Sequence, residues 1–241
     1  MPFTDKLQSP TDVEKMDEEY QHLLKRVLAI QADCEIGGPH LYVEDILLNA
    51  PTATEKLIVA RTAAEEIDHY RKMAKLAADL GVDVSYVLRR SNQERYVEAF
   101  RGKIKTWEDY AIFGFLIDRV GRYQLEEFAD CSYAPLSNML PQVLKEEEGH
   151  VGHGENLTAE MAQSDDPEQR KRIQESLNSW YPQGLDMFGM SESRRSERFV
   201  HWGIKKRTNE QARTDYMNEV NPKIEAMGLQ VPDAKAGRHY F

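Results

Sequence analysis

Glu66 and His69 stand three residues apart, and so do Glu147 and His150. On an α-helix, residues at that spacing share a face. A walk of alternating three and four residues from each pair gives Val59, Thr62, Glu66, His69, Met73, Leu76 and Leu80 on one segment. On the other it gives Leu140, Val143, Glu147, His150, Gly154, Leu157 and Met161. Both stripes are mainly apolar, and both carry a carboxylate and an imidazole at their middle. A charged carboxylate on a core-facing stripe is costly to bury unless it is paired or bound to a metal. Two such pairs point to one shared ligand. Carboxylate oxygens with imidazole nitrogens suit a hard or borderline redox metal.

Two further stripes carry one carboxylate each. Leu24, Leu28, Gln31 and Glu35 form the first; Ala111, Gly114, Asp118, Gly121, Leu125 and Phe128 form the second. Glu35 precedes Glu66 by 31 residues, and Asp118 precedes Glu147 by 29. The chain thus repeats a helix with one carboxylate followed by a helix with Glu-x-x-His. That is the ligand pattern of a di-iron site in a ferritin-like four-helix bundle. The expected ligands are Glu35, Glu66, His69, Asp118, Glu147 and His150, and the expected cofactor is two iron ions; manganese suits the same donors. Glu126, about 80° off the Asp118 seam, stays a rival, whereas Glu127 projects to the opposite face and is expected to be exposed.

Blander readings attach to the neighbours. Glu19 and His22 also make a Glu-x-x-His, but off the Leu24–Leu28–Glu35 stripe, where it reads as solvated surface. Gly114 and Gly121 flank Asp118, each at about 1 kcal/mol relative to Ala inside a helix. They serve either close helix packing or space beside the metals for oxygen and substrate. Asp68 and His153 read either as supports for the ligands or as surface.

Helices must position these stripes, and helical periodicity dominates the chain; no run reads as a strand. The first helix is expected from Thr11, with Glu14 completing a capping box, to Ile36, stopped by Gly37, Gly38 and Pro39. The second runs from Thr52, with Glu55 in the box position, to Leu80, with Gly81 as its cap. The third starts near Thr106 and runs toward Ser132, with Pro135 stopping it or lying just beyond. The fourth spans about Leu136 to Met161, with Pro141 near its start. A shorter helix follows at about 167–180, then an irregular stretch, 182–193. A last helix runs from Thr208 to Gly228, and an irregular tail follows from Val231. The reading is all-α: a single ferritin-like domain over 1–241, with the bundle at about 11–161 and a C-terminal helical extension at about 166–233.

Composition fits that reading. Of 241 residues, 41% are hydrophobic and 30% charged, the balance of a globular chain. A net charge of −10 argues against nucleic acid and anionic membranes as partners, although Lys205, Lys206 and Arg207 make a local basic run. Cys34 and Cys131 form neither a zinc pair nor a disulfide framework, so a reduced, cytoplasmic protein is expected. The first residues lack the apolar core of a signal peptide, and no apolar run approaches the roughly 20 residues of a membrane span.

At these residues the chain resembles the catalytic subunits of the phenylacetyl-CoA epoxidase family, multicomponent di-iron monooxygenases. The resemblance runs from about residue 30 to 233. It includes Cys34-Glu35-Ile36-Gly37, Ala50-Pro51-Thr52, Glu66-Ile67-Asp68-His69 with Leu80-Gly81, Phe115-Leu116-Ile117-Asp118, Ser132-Tyr133-Ala134-Pro135 and Lys145-Glu146-Glu147-Glu148-Gly149-His150. Past the bundle it includes Met187-Phe188-Gly189, Trp202-Gly203-Ile204-Lys205-Lys206 with Thr208-Asn209-Glu210, and Met227-Gly228-Leu229 with Val231-Pro232-Asp233. The resemblance implies the same six ligands and insertion of oxygen from O2 into the aromatic ring of an acyl-CoA. It also implies an external iron–sulfur flavoprotein reductase and a similarly folded, non-catalytic partner subunit. Arg61, Gly114, Gly121, Lys205 and Asn209 are the expected substrate contacts, with Lys206 and Arg207 as further phosphate partners. The chain departs from the family at Leu41–Asn49, at its shorter C-terminus, and over Val84–Thr106, which holds Arg89, Arg90, Arg95 and Arg101 and borders the substrate entrance in such folds. Other readings are a non-catalytic scaffold subunit of such a complex and a ferritin-like iron-storage or peroxide-scavenging protein. A tRNA-hydroxylating di-iron enzyme is disfavoured by the acidic charge.

Overall fold

The computed structural model describes residues 3–241. Its first helix is broken where one was expected to be continuous. α1 (Pro10–Glu14) is a short turn closed by a capping box between Ser9 and Asp12. Pro10 sits at the start, where its missing amide is harmless, so the cap falls on Ser9 and not on Thr11. α2 (Glu18–Leu41) begins behind Asp17, runs through Gly37, Gly38 and Pro39, and passes into a π-helical turn, Tyr42–Ile46. The expected stop at Gly37 does not occur. A Cβ on Gly37 would lie 2.7 Å from Phe100 Cγ, so tertiary packing uses the bare backbone for close approach and overrides its helix-breaking tendency.

α3 (Ala53–Asp79) starts where expected, with Thr52 accepting from the Glu55 amide at 3.1 Å, and Gly81 follows its end at φ +74. α4 (Trp107–Ile112), capped by Thr106, leads through a second π turn, Phe113–Asp118, into α5 (Arg119–Glu126). α6 (Ala134–Ala162) carries Pro135 in its first turn and Pro141 inside. Pro135 therefore opens the fourth helix, as prolines commonly do. α2 lies along α3, α4 and α5 lie along α6, and α3 touches α6. The four long segments make an all-α bundle of two facing hairpins.

Beyond the bundle, α7 (Pro167–Asp186) is longer than expected, α8 (Arg194–His201) was not expected, and α9 (Asn209–Ala226) starts at a Thr208–Gln211 capping box. This extension buttresses the second π turn. Such a turn sets the regular hydrogen-bond ladder out of step, and two of its carbonyls take side-chain donors: Leu116 O from Tyr216 Oη at 3.1 Å, and Phe115 O from Arg119 Nε at 3.1 Å. Glu127 corrects the expectation of exposure. It is buried and accepts from the Arg207 amide at 2.6 Å and the Arg207 side chain at 2.5 Å, because the extension covers that face. Among the described residues the sole β feature is an isolated bridge between Leu7 and Tyr133, both cysteines are free thiols, and no helix is long and apolar enough to cross a membrane.

Candidate metal centre

Glu35 on α2, Glu66 and His69 on α3, and Glu147 on α6 meet in the bundle interior. One ligand atom from each lies within 4.8 Å of the others, and all four residues are buried. His150 joins from α6, its Nδ1 3.2 Å from Glu66 Oε1 and 3.8 Å from Glu147 Oε2. His69 Nδ1 lies 3.2 Å from Glu147 Oε1 and 3.5 Å from Glu35 Oε2. Asp118, at the end of the π turn, borders the same space with Glu35, Glu66 and Glu147. The structure thus brings all six expected residues to one place: four within reach of one another, His150 against Glu66 and Glu147, and Asp118 at the rim. Glu126 is outside it, paired with Arg122 at 3.4 Å.

The two histidines are held in the same way. His69 Nε2 contacts Glu146 Oε2 at 2.8 Å, and His150 Nε2 contacts Glu65 Oε2 at 2.9 Å. Each carboxylate belongs to the facing helix and immediately precedes the cluster glutamate there. An N–H donated from Nε2 leaves Nδ1 as a lone-pair donor aimed at the carboxylates. Both Nδ1 atoms are buried and lack a hydrogen bond of acceptable angle. A cation among these oxygens needs no donor angle, so the residues fit a metal better than they fit one another. Gln31 Nε2 donates to Glu35 Oε1 at 2.6 Å, and Tyr42 Oη donates to Asp118 Oδ1 at 2.6 Å. Gln31 was visible on the Glu35 stripe. Glu65 and Glu146 were visible as the first members of Glu-Glu-x-x-His in both motifs, but their cross-helix role was not. Asp68 pairs at the surface with Arg71 and Lys72, and His153 pairs with Glu55 at 3.0 Å.

Electrostatics show what the cluster does without a cation. Burial and the neighbouring Glu147 push the Glu66 carboxyl well above its usual range. Burial pushes Asp118 up to about 7, against the pull of His150 and Tyr42. Burial would also raise Glu147, but contact with His150 and His69 outweighs it and holds that carboxyl at about 2. Burial favours neutral imidazoles, yet Glu147 and Glu35 raise His69 to about 11, and Glu147 and Glu66 raise His150 to about 12. Imidazole protons therefore meet the carboxylate charge, a task that metal cations perform in ligand sets of this composition.

The expected substrate contacts divide. Gly121 borders a chamber of about 30 Å³ over the carboxylates, together with Cys34, Phe100, Ile117 and Leu125, and a Cβ there would meet open space. Gly114 instead packs on α6: a Cβ on Gly154 would lie 2.4 Å from the Gly114 carbonyl carbon. Lys205 and Asn209 line a surface groove with Ile30 and Phe199, and Lys205 Nζ donates to Gln124 at 2.9 Å. Arg61 lies on the exposed face of α3, 78% accessible and paired with Glu65 at 3.1 Å. Arg207 is engaged by Glu127 and Asp215.

An all-α bundle whose facing helices bury a carboxylate–imidazole cluster is the architecture of a four-helix protein able to hold metal. Residues 7–240 match the family described as phenylacetic acid catabolic protein, and the chain belongs to that family. It is 26% identical over 238 residues to a 1,2-phenylacetyl-CoA epoxidase subunit of Escherichia coli (strain K12), covering 96% of this chain and 76% of that protein. It is also 26% identical over 238 residues to benzoyl-CoA oxygenase component B of Aromatoleum evansii, covering 88% of this chain and 50% of that protein. The chain thus spans about three quarters of the first relative and half of the second.

Proposed function

We propose that this chain is the metal-bearing subunit of a di-iron oxygenase acting on an aromatic or unsaturated acyl thioester of coenzyme A. The observation that carries the reading is the matched pair of histidines, each fixed through Nε2 by a carboxylate of the facing helix and each turning an unpartnered Nδ1 to the buried carboxylates. Such outer carboxylates fix the tautomer and orientation of metal-ligating imidazoles. A scaffold subunit has no need for so many buried ionisable groups, which are costly without a ligand. The family match through the C-terminal extension favours an oxygenase component over a storage or scavenging protein. Both relatives are named for oxygen insertion and for CoA thioesters.

Glu35, Glu66, His69, Asp118, Glu147 and His150 would hold two iron ions, which when bound supply the activation of O2 with electrons from an external reductase. The chain's own residues do the rest. Glu65 and Glu146 orient the imidazoles, Gln31 and Tyr42 orient Glu35 and Asp118, and Phe100, Ile117 and Leu125 give the small chamber apolar walls. In the outer groove Lys205 and Asn209 would meet the carrier portion of the thioester. That one relative is named as part of a larger enzyme supports assembly with a second, similarly folded chain.

Metal content after anaerobic ferrous loading tests the reading. The wild type should hold about two irons per chain, and Glu66→Ala combined with Glu147→Ala should hold none. The loaded protein, with a reductase, should then consume O2 when given phenylacetyl-CoA or benzoyl-CoA. No iron uptake by the wild type would leave the scaffold role as the better account, and oxidation of a free acid in place of the thioester would remove the CoA assignment.

A further inference from the structure

A large groove and the small chamber lie back to back beside α2. The groove, about 550 Å³, opens to solvent and is walled by Ile30, Val97, Ala99 and Tyr240 among others. The chamber, about 30 Å³, is bounded by Cys34, Phe100 and Gly121 and by the carboxylates of the cluster. Ile30 and Cys34 are one turn apart on α2, and Ala99 and Phe100 are adjacent, so one layer of side chains divides the two spaces. The chamber has room for little more than a water molecule or two, whereas a benzene-sized ring needs roughly 150 Å³. No aromatic group fits beside the carboxylates in a space of that size.

Phe100 belongs to a short 3-10 turn, Glu98–Arg101, with no side-chain cap, whereas Cys34 stands within the long helix α2. The base of this segment is clamped: Arg95 is fully buried and donates to Asp33 on α2 at 2.9 Å, and Arg101 Nε donates to Arg95 O at 2.8 Å. The Phe100 ring itself rests on the bare Cα of Gly37 and stands 6.1 Å from the ring of Phe113.

We propose that Phe100 is a specificity-determining gate: leaving its seat on Gly37 joins the groove to the chamber, and the space it vacates sets the width of the group that reaches the carboxylates. The identity of that group rests on the oxygenase reading; the gate does not.

Cys34 faces the chamber and is half-buried, so it has a basal labelling rate to compare, while Cys131 is fully buried in a separate apolar cluster, which gives an internal control. The metal-free protein is treated with iodoacetamide, and alkylation of each cysteine is followed by peptide mass spectrometry. Phe100→Ala should speed Cys34 labelling roughly tenfold, as expected when a local opening step is removed, with Cys131 unchanged. Gly37→Ala deletes nothing and puts a methyl 2.7 Å from Phe100 Cγ. It should displace the ring and speed Cys34 labelling as well. Unchanged Cys34 labelling in both variants, or a rise shared equally by Cys131, would overturn the gate. The assay needs neither metal nor turnover, so a failure to bind iron would be seen separately.

Discussion

At the scale of single residues, the cluster depends on the groups one step outside it. Glu65 and Glu146 touch none of the space between the carboxylates, yet each fixes an imidazole of the facing helix. Removing such an outer carboxylate commonly weakens metal binding by roughly 10–100-fold. Glu65→Ala and Glu146→Ala should each lose iron in that range with all six candidate ligands intact, measured by competition with a chelator. Arg61 is a contrast. It pairs with Glu65 at an exposed site, where such pairs contribute about 0–1 kcal/mol, so Arg61→Ala should leave iron affinity nearly unchanged. The six inner residues were legible because burying charge on an apolar stripe needs a reason. Glu65 and Glu146 were not, because a partly exposed glutamate on a helix usually needs none.

At the scale of elements, close backbone contacts decide the geometry. α6 meets the second π turn at Gly114 and Gly154, one turn of helix beyond His150. A Cβ on Gly154 would lie 2.4 Å from both the Gly114 carbonyl carbon and the Phe115 amide nitrogen. Backbone cannot yield as a flexible side chain does, so Gly154→Ala should destabilise by about 1–3 kcal/mol or more and disturb Asp118 with it. Gly152→Ala on the same helix meets nothing within 4 Å and should stabilise by about 1 kcal/mol. Urea unfolding of the two variants checks both signs. The Gly37-Gly38-Pro39 run shows the limit of local rules. Its composition reads as a stop, but α2 continues, with Phe100 packed where a Gly37 side chain would otherwise stand.

At the scale of the whole molecule, the C-terminal extension braces the bundle through Arg119. This buried guanidinium pairs with Glu155 of α6 and Glu219 of α9, and Glu219 also accepts from Tyr123 at 2.7 Å while Lys223 pairs with Glu155 at 2.8 Å. Burial works to raise both carboxyls, but for Glu155 the Lys223 and Arg119 contacts, and for Glu219 the Tyr123, Arg122 and Arg119 contacts, hold them below the usual 4.5. A carboxyl depressed in the folded state stabilises above its unfolded pKa, and that gain is lost as pH falls through the folded value. The wild type should therefore exceed Glu155→Gln combined with Glu219→Gln in urea midpoint at pH 7, and the gap should close on acidification below 4.5. A gap that persists at pH 2 would refute the electrostatic account. The helical class, most helix starts and the six residues that converge could all be read along the chain, because periodicity, capping and the cost of buried charge are local or one-dimensional signals. Three features could not: that Glu127 is buried, that Gly114 serves packing while Gly121 faces a chamber, and that Phe100 packs on Gly37 and lines that chamber. Each of those depends on which distant segment arrives at a given face, and no spacing along the chain encodes that arrival.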